Sequence, residues 1–199
     1  MTLRTVMLTV GLAAVAAPAL AADAQLKPFV ALGFAGETTF VPANLDQAAG
    51  NRHTMFGIDA VWLRDIVGVD VDVAHGPGFF EGDEHLVLNS SVTTATGNVV
   101  ITLPRRWTEY VLRPYVLAGA GIMHLHTKDN LELFPFSATL VAIDFGAGAT
   151  GMITARTGLS WEVRRFGSLS RKDTATTGLS FGPGRLSFWR ASIAFAYRY

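Results

Sequence analysis

The sequence predicts an all-β protein, an eight-stranded antiparallel up-and-down transmembrane β-barrel. Three observations lead there: short segments in which apolar and polar side chains alternate, links between them that are in turn long and short, and an N-terminal leader of the kind that directs export. Composition agrees. The 199 residues include 20 glycines and 13 phenylalanines, which suits strands better than helices. With 16 Lys+Arg against 16 Asp+Glu the formal charge is zero, so nothing points to nucleic acid or another polyanion as partner. The chain has no cysteine, which excludes disulfides, thiolate metal sites and cysteine nucleophiles.

The leader, MTLRTVMLTVGLAAVAAPALAADA, has one cation at Arg4, an apolar run from Val6 to Ala17, a break at Pro18 and the small-x-small triplet Ala19-Leu20-Ala21. Those are the parts of a signal peptide, and the apolar run is too short for a spanning helix. Residues 1–21 are therefore expected to be removed, with cleavage as late as residue 24, leaving 22–199 as one barrel domain.

Eight segments follow in order: Lys27–Gly36, His53–Leu63, Ile66–His75, Ser91–Leu103, Arg113–His126, Thr139–Met152, Gly158–Ser168 and Leu186–Tyr199. A tilted membrane strand needs about 9–11 residues, and these segments reach that length. Only Arg64-Asp65 separates the second from the third, and ITAR the sixth from the seventh. The links after the first, third, fifth and seventh are longer and polar: GETTFVPANLDQAAGNR, GPGFFEGDEH, KDNLELFPF and LSRKDTATTGLSFGPGR. PRRWTEYVL, after the fourth, is intermediate. A meander with short periplasmic turns and long outer loops has this rhythm. An even strand count then puts both mature termini on the periplasmic side.

Alternation assigns the faces. In the second segment Phe56, Ile58, Ala60 and Trp62 oppose Gly57 and Asp59; in the third Val67, Val69, Val71 and Val73 oppose Gly68, Asp70 and Asp72. The fifth is ambiguous by pattern, and its Gly119 and Gly121 side is expected to face inward together with Tyr115 and Leu117. Val141, Ile143 and Phe145 oppose Asp144, Gly146 and Gly148 in the sixth, and Leu159, Trp161 and Val163 oppose Ser160, Glu162 and Arg164 in the seventh. In the last, Trp189, Ile193, Phe195, Tyr197 and Tyr199 form the lipid side against Arg190, Ser192, Ala194 and Arg198. A charged replacement at Phe195 is accordingly expected to impair insertion more than one at Ala194.

The polar side collects Asp59, Asp70, Asp72, Asp144, Glu162, Arg164, Arg190 and Arg198. An eight-stranded barrel has room inside for side chains only, and a charge there must be paired, so these residues are expected to form a lumenal network. Aromatics near the segment ends, Phe29, Trp62, Trp107, Tyr110, Trp161, Phe166, Trp189, Tyr197 and Tyr199, are candidates for the girdles at the two membrane surfaces.

RPYVLAGAGI, DFGAGATGMITARTGLSWEVRRF and the terminal RASIAFAYRY together resemble the small eight-stranded outer-membrane β-barrel domain family of Gram-negative bacteria, over nearly all the mature chain. In that family glycine-alternating strands lead into a strand bearing Glu and Arg, matched here by Glu162 and Arg164, and the chain ends on an aromatic, matched by Tyr199. The resemblance implies that Phe195, Tyr197 and Tyr199 carry the signal read by the outer-membrane assembly machinery. It also implies outer-membrane lipids and lipopolysaccharide as surroundings, and a role as adhesion factor, envelope anchor, narrow channel or barrel of another purpose.

Catalysis finds little support. His124 and His126 lie two apart and can share a face, but no third ligand follows by spacing, so no metal is expected. Ser90 and Ser91 near a loop, with His124, are the only pieces of a lipid A-modifying hydrolase or acyltransferase, and no base is matched to either serine. EGDE lacks the ligand series of a calcium loop. Neither a catalytic site nor a cofactor is expected. The expected function is that of an outer-membrane structural or surface-interaction barrel with a charged, plugged interior and extracellular loops that can meet a partner. The alternative is a narrow pore, should inward Gly57, Gly68, Gly146 and Gly148 leave a water path.

Overall fold

In the computed structural model, residues 23–38, 51–79, 87–104, 112–129, 136–169 and 185–199 are described. Their alternating segments become eight strands: β1 (Asp23–Thr38), β2 (His53–Arg64), β3 (Val67–Pro77), β4 (Val87–Thr102), β5 (Leu112–Asp129), β6 (Phe136–Met152), β7 (Thr157–Ser168) and β8 (Leu186–Arg198). Each pairs antiparallel with its neighbours in sequence, and β8 pairs with β1, so the sheet closes into a barrel with no free edge along its wall. Each strand coincides with one expected segment to within a few residues. The differences concentrate at the loop end of β4, β5 and β6, where backbone pairing continues past the apolar positions, with Val87 opposite Asp129 and Phe136 opposite Thr127. No described helix is long and apolar enough to cross a membrane.

The short connections follow from local chemistry. Arg64 pairs with Val67, leaving the two-residue loop Asp65-Ile66, and Asp65 takes the positive φ of 54° that such a loop requires. Between β6 and β7 the Thr154 hydroxyl accepts from the amides of Arg156 (3.2 Å) and Thr157 (3.0 Å), which holds the turn. At the same end Tyr199 N–H donates to Ala24 O at 3.1 Å, sealing the β1–β8 seam. A bulge interrupts that seam between Phe34 and Glu37, where Ala35 has φ 48°.

The faces follow the alternation. Val67, Val69, Val71 and Val73 are exposed on the outside while Gly68, Asp70, Asp72 and Ala74 are buried inside, and the seventh and eighth strands repeat the pattern. The apolar exterior is a continuous band, from Val30 on β1 through Val116 on β5 to Ile193 on β8. In β5 the glycine side faces inward, together with Tyr115 and Leu117. Space explains it: a Cβ at Gly148 would lie 2.8 Å from the Tyr115 ring, and one at Gly146 2.8 Å from Arg164 Cγ. The space beside these inward glycines is therefore occupied by their neighbours' side chains.

Two expectations need correction. Phe29 and Phe166 do not belong to a surface girdle; both are buried inside, because they share strand parity with Lys27 and with Arg164. Trp62, Trp161, Trp189, Tyr197 and Tyr199 do face outward, whereas Trp107 and Tyr110 lie outside the described residues, as do the leader and most of the GPGFFEGDEH loop. Ala194 faces inward as expected but packs in a tight apolar cluster, so a charge there would also be costly. The fair inward counterpart of Phe195 is Ser192, which is buried one position along the same face.

Candidate functional site

The lumen is layered along the barrel axis. At the turn end sits a small apolar cluster of Val61, Leu63, Val100, Tyr115 and Leu117; at the loop end a larger one includes Met55, Phe79, Met123, Phe166 and Phe188. Between them, at intermediate positions of β2, β3, β6, β7 and β8, lie the charges.

Arg164 is the hub of that middle layer and is fully buried. Its guanidinium reaches Asp59 (3.4 Å), Asp70 (3.2 Å) and Asp144 (3.5 Å), and its Nε donates to Glu162 two residues away on the same face. Arg190 forms a second centre, gripping Asp72 with both terminal nitrogens at 2.9 and 2.6 Å. Its plane lies against Phe29 and Phe166, with centroids 4.6 and 4.9 Å away, so the cation is held by rings as well as by a carboxylate. Glu162 links the two centres, 3.9 Å from Arg190. The structure thus brings together seven of the eight lumenal positions named from the sequence. Arg198 has the right parity but lies at the turn-end rim, where it pairs with Asp23 at 2.7 Å and remains partly exposed.

Four members of the layer lie beyond the charged positions named from the sequence, of which Tyr115 was expected only to face inward. Asn98 donates to Asp70 at 2.8 Å, Tyr115 OH donates to Glu162 at 2.9 Å, and Lys27, buried, donates to Thr150 at 3.1 Å with its ammonium 4.9 Å from the Tyr115 ring centre. Inward parity on β1 and β4 would have found Lys27 and Asn98. Beside them a cavity of about 20 Å³, lined in part by Gln25, Lys27, Tyr115 and Thr150, has room for about one water.

The loop-end cluster was not assembled from the sequence, where the aromatic pair of GPGFFEGDEH suggested only a loop resting on the barrel rim. Phe79, just beyond β3, turns back into the barrel on Gly78, whose φ of 68° suits glycine. It stacks on His53 (4.8 Å) and meets Phe188 (5.1 Å), which in turn stacks on Phe166 (5.1 Å). This column of rings runs from the loop end down to Arg190.

The remaining candidates are dispersed. His124 and His126 face outward, and His124 bonds to Thr139 at 2.9 Å. Ser90 is buried inside and Ser91 lies on the outer face opposite His126. Among the described residues no group of three or more His, Asp or Glu side chains is arranged to hold a metal ion. On β8, Phe195 and Tyr199 project outward and Tyr197 packs edge-on against Tyr199 at 5.2 Å.

Comparison with solved structures places this architecture. Neisserial surface protein A, at 10% identity, superposes with a TM-score of 0.59 over 88% of this chain and 99% of that one. The chain has the fold of the small eight-stranded outer-membrane β-barrels. Ail, the attachment invasion locus protein of Yersinia pestis, matches over the same shares with TM-score 0.52 and 14% identity, and with 0.51 and 13% when solved in complex with the heparin analogue sucrose octasulfate. At such identities the shared property is the fold. No family model and no curated protein sequence matches the chain.

Proposed function

We propose that this chain is an outer-membrane structural or surface-interaction barrel whose lumen is plugged and whose loops meet extracellular partners. The observation that carries the reading is the filled interior: among the described residues a charged layer and an aromatic cluster lie in series across the lumen, which leaves the lipid face and the loops to act. The continuous apolar exterior supports a membrane setting, since a closed barrel satisfies its backbone polar groups without water. That Ail binds a heparin analogue supports surface interaction as a use of this fold.

In this reading residues 1–21 are the signal peptide, both mature termini are periplasmic, lipopolysaccharide surrounds the outer half, and Phe195, Tyr197 and Tyr199 are read by the assembly machinery. Asp23 supports cleavage after Ala21 rather than Ala24, because it pairs with Leu63 and holds Arg198. The intact mass of the mature protein checks this.

Cell fractionation with surface protease access to the 169–185 loop tests location and orientation together. Protein that is monodisperse without detergent would reject the membrane setting. In planar bilayers the purified barrel is expected to be silent, and reproducible ion-selective steps would overturn the plug.

A further inference from the structure

The middle layer of the lumen holds more acid than base. Five carboxyls are buried there, those of Asp59, Asp70, Asp72, Asp144 and Glu162, against three cations among the described residues, Lys27, Arg164 and Arg190. Arg113 and Arg198 stand apart at the turn-end rim, where both pair with Asp23. Were every carboxyl ionised, the layer would keep two negative charges with no counter-charge. A buried group in that position escapes the cost by becoming neutral.

The contacts show which two are in excess. Asp72 has both oxygens on Arg190, at 2.9 and 2.6 Å. Asp70 has both on Arg164, at 3.3 and 3.2 Å, and accepts from Asn98 as well. Glu162 likewise has both on Arg164, and it accepts from Tyr115 OH. Asp59 and Asp144 are left with one long contact each to that same guanidinium, at 3.4 and 3.5 Å. Neither oxygen of Asp144 has a hydrogen-bond partner, although the side chain is fully buried. It faces Arg164 on β7 and, across the lumen, Asp70 and Asp72 of β3 and Arg190 of β8. Asp59 lies between Lys27 of β1 and Asp72 of β3 in the register, and faces Asp70, Tyr115, Arg164 and Arg190 as well. Lys27 turns its ammonium to Thr150, whereas the carboxyls of Asp59 and Asp72 are within hydrogen-bonding contact. Two carboxylates in contact repel; one proton between them turns the repulsion into a hydrogen bond.

We propose that Asp59 and Asp144 are a two-proton site: each takes a proton from the medium as the barrel closes, Asp59 donates its own to Asp72, and the charged layer is neutral at ordinary pH. The proposal goes beyond the plugged-barrel reading and depends on the closed layer, not on what the loops meet. A metal ion fits the place poorly, because both carboxyls converge on Arg164 and its guanidinium would lie against the ion. The site has a consequence for stability. An unfolded chain releases these two protons above about pH 4, so a barrel that keeps them becomes less stable through these groups as pH rises, and more stable as it falls.

The test is infrared spectroscopy of the folded mature protein carrying carbon-13-labelled aspartate, in a detergent free of ester and carboxyl groups. At neutral pH the wild type is expected to show the carbonyl stretch of protonated aspartic acid, moved by the label. Asp59→Asn and Asp144→Asn should each remove part of that band, and the double variant all of it. The wild-type band needs no variant to fold. Urea unfolding supplies a second readout. Asn keeps a donor for Asp72, and relative to either single variant the wild-type folding constant should fall by up to about tenfold per pH unit above about pH 4. Ionised carboxylates predict the reverse, a wild type that gains on the variants as pH rises, because each Asn then takes a counter-charge from Arg164. That reversal, a wild type with no protonated-aspartate band, a band that survives in the double variant, or one metal ion retained by each folded barrel after chelation would overturn the site.

Discussion

The charged layer and the aromatic cluster fill the same lumen by opposite means. Around Arg164 and Arg190 every contact is directional, and each charge depends on a named partner across the barrel. Around Phe79, Phe166, Phe188 and Met55 the contacts are ring faces, ring edges and a thioether, which tolerate small changes of angle. Removing one member of the first region strands the others; removing one member of the second leaves a hole. The lumen is thus filled in two ways among the described residues, by ion pairing in the middle and by ring packing at the loop end.

That contrast can be broken from the hub outward. Arg164→Met leaves Asp59, Asp70, Asp144 and Glu162 without their common cation, and an expected loss of about 3–5 kcal/mol should appear in urea unfolding of the barrel in liposomes. A smaller loss, about 3 kcal/mol, is expected for Phe188→Ala, whose cavity lies among apolar neighbours; the difference between the regions fails if the two midpoints shift in the reverse order. Gly146→Val forces a side chain against Arg164 and should cost about 1–3 kcal/mol by the same measurement. Tyr115→Phe removes one hydroxyl from Glu162 and Ser160, with about 1 kcal/mol expected. At the rim, where Arg198 and Asp23 are partly wet, Arg198→Ala should cost well under about 1 kcal/mol and lose its effect at high salt.

How much of this was legible depends on the kind of information. Strand parity is local, so Asp70 and Asp72 on one face, and Val69 and Val71 on the other, could be read from the chain. Parity also carried the answers for Lys27, Asn98, Phe29 and Phe166. For the two phenylalanines it was overridden by the habit of placing aromatics at membrane surfaces. Partner choice is not local. Asp70 meets Arg164 and Asp72 meets Arg190 although each pair is about a hundred residues apart in the chain, and only barrel closure and stagger select between them. Phe79 is a related case, since a loop residue has no strand parity to say how far inward it folds.

By itself, the sequence determined strand number, order and the facing of most strands, because the pleat forces successive side chains to opposite sides and the link lengths alternate with the two ends. Only the tertiary structure decided which charges pair and that rings cap them. Those depend on the register between strands far apart in the chain, which closure sets for all of them at once.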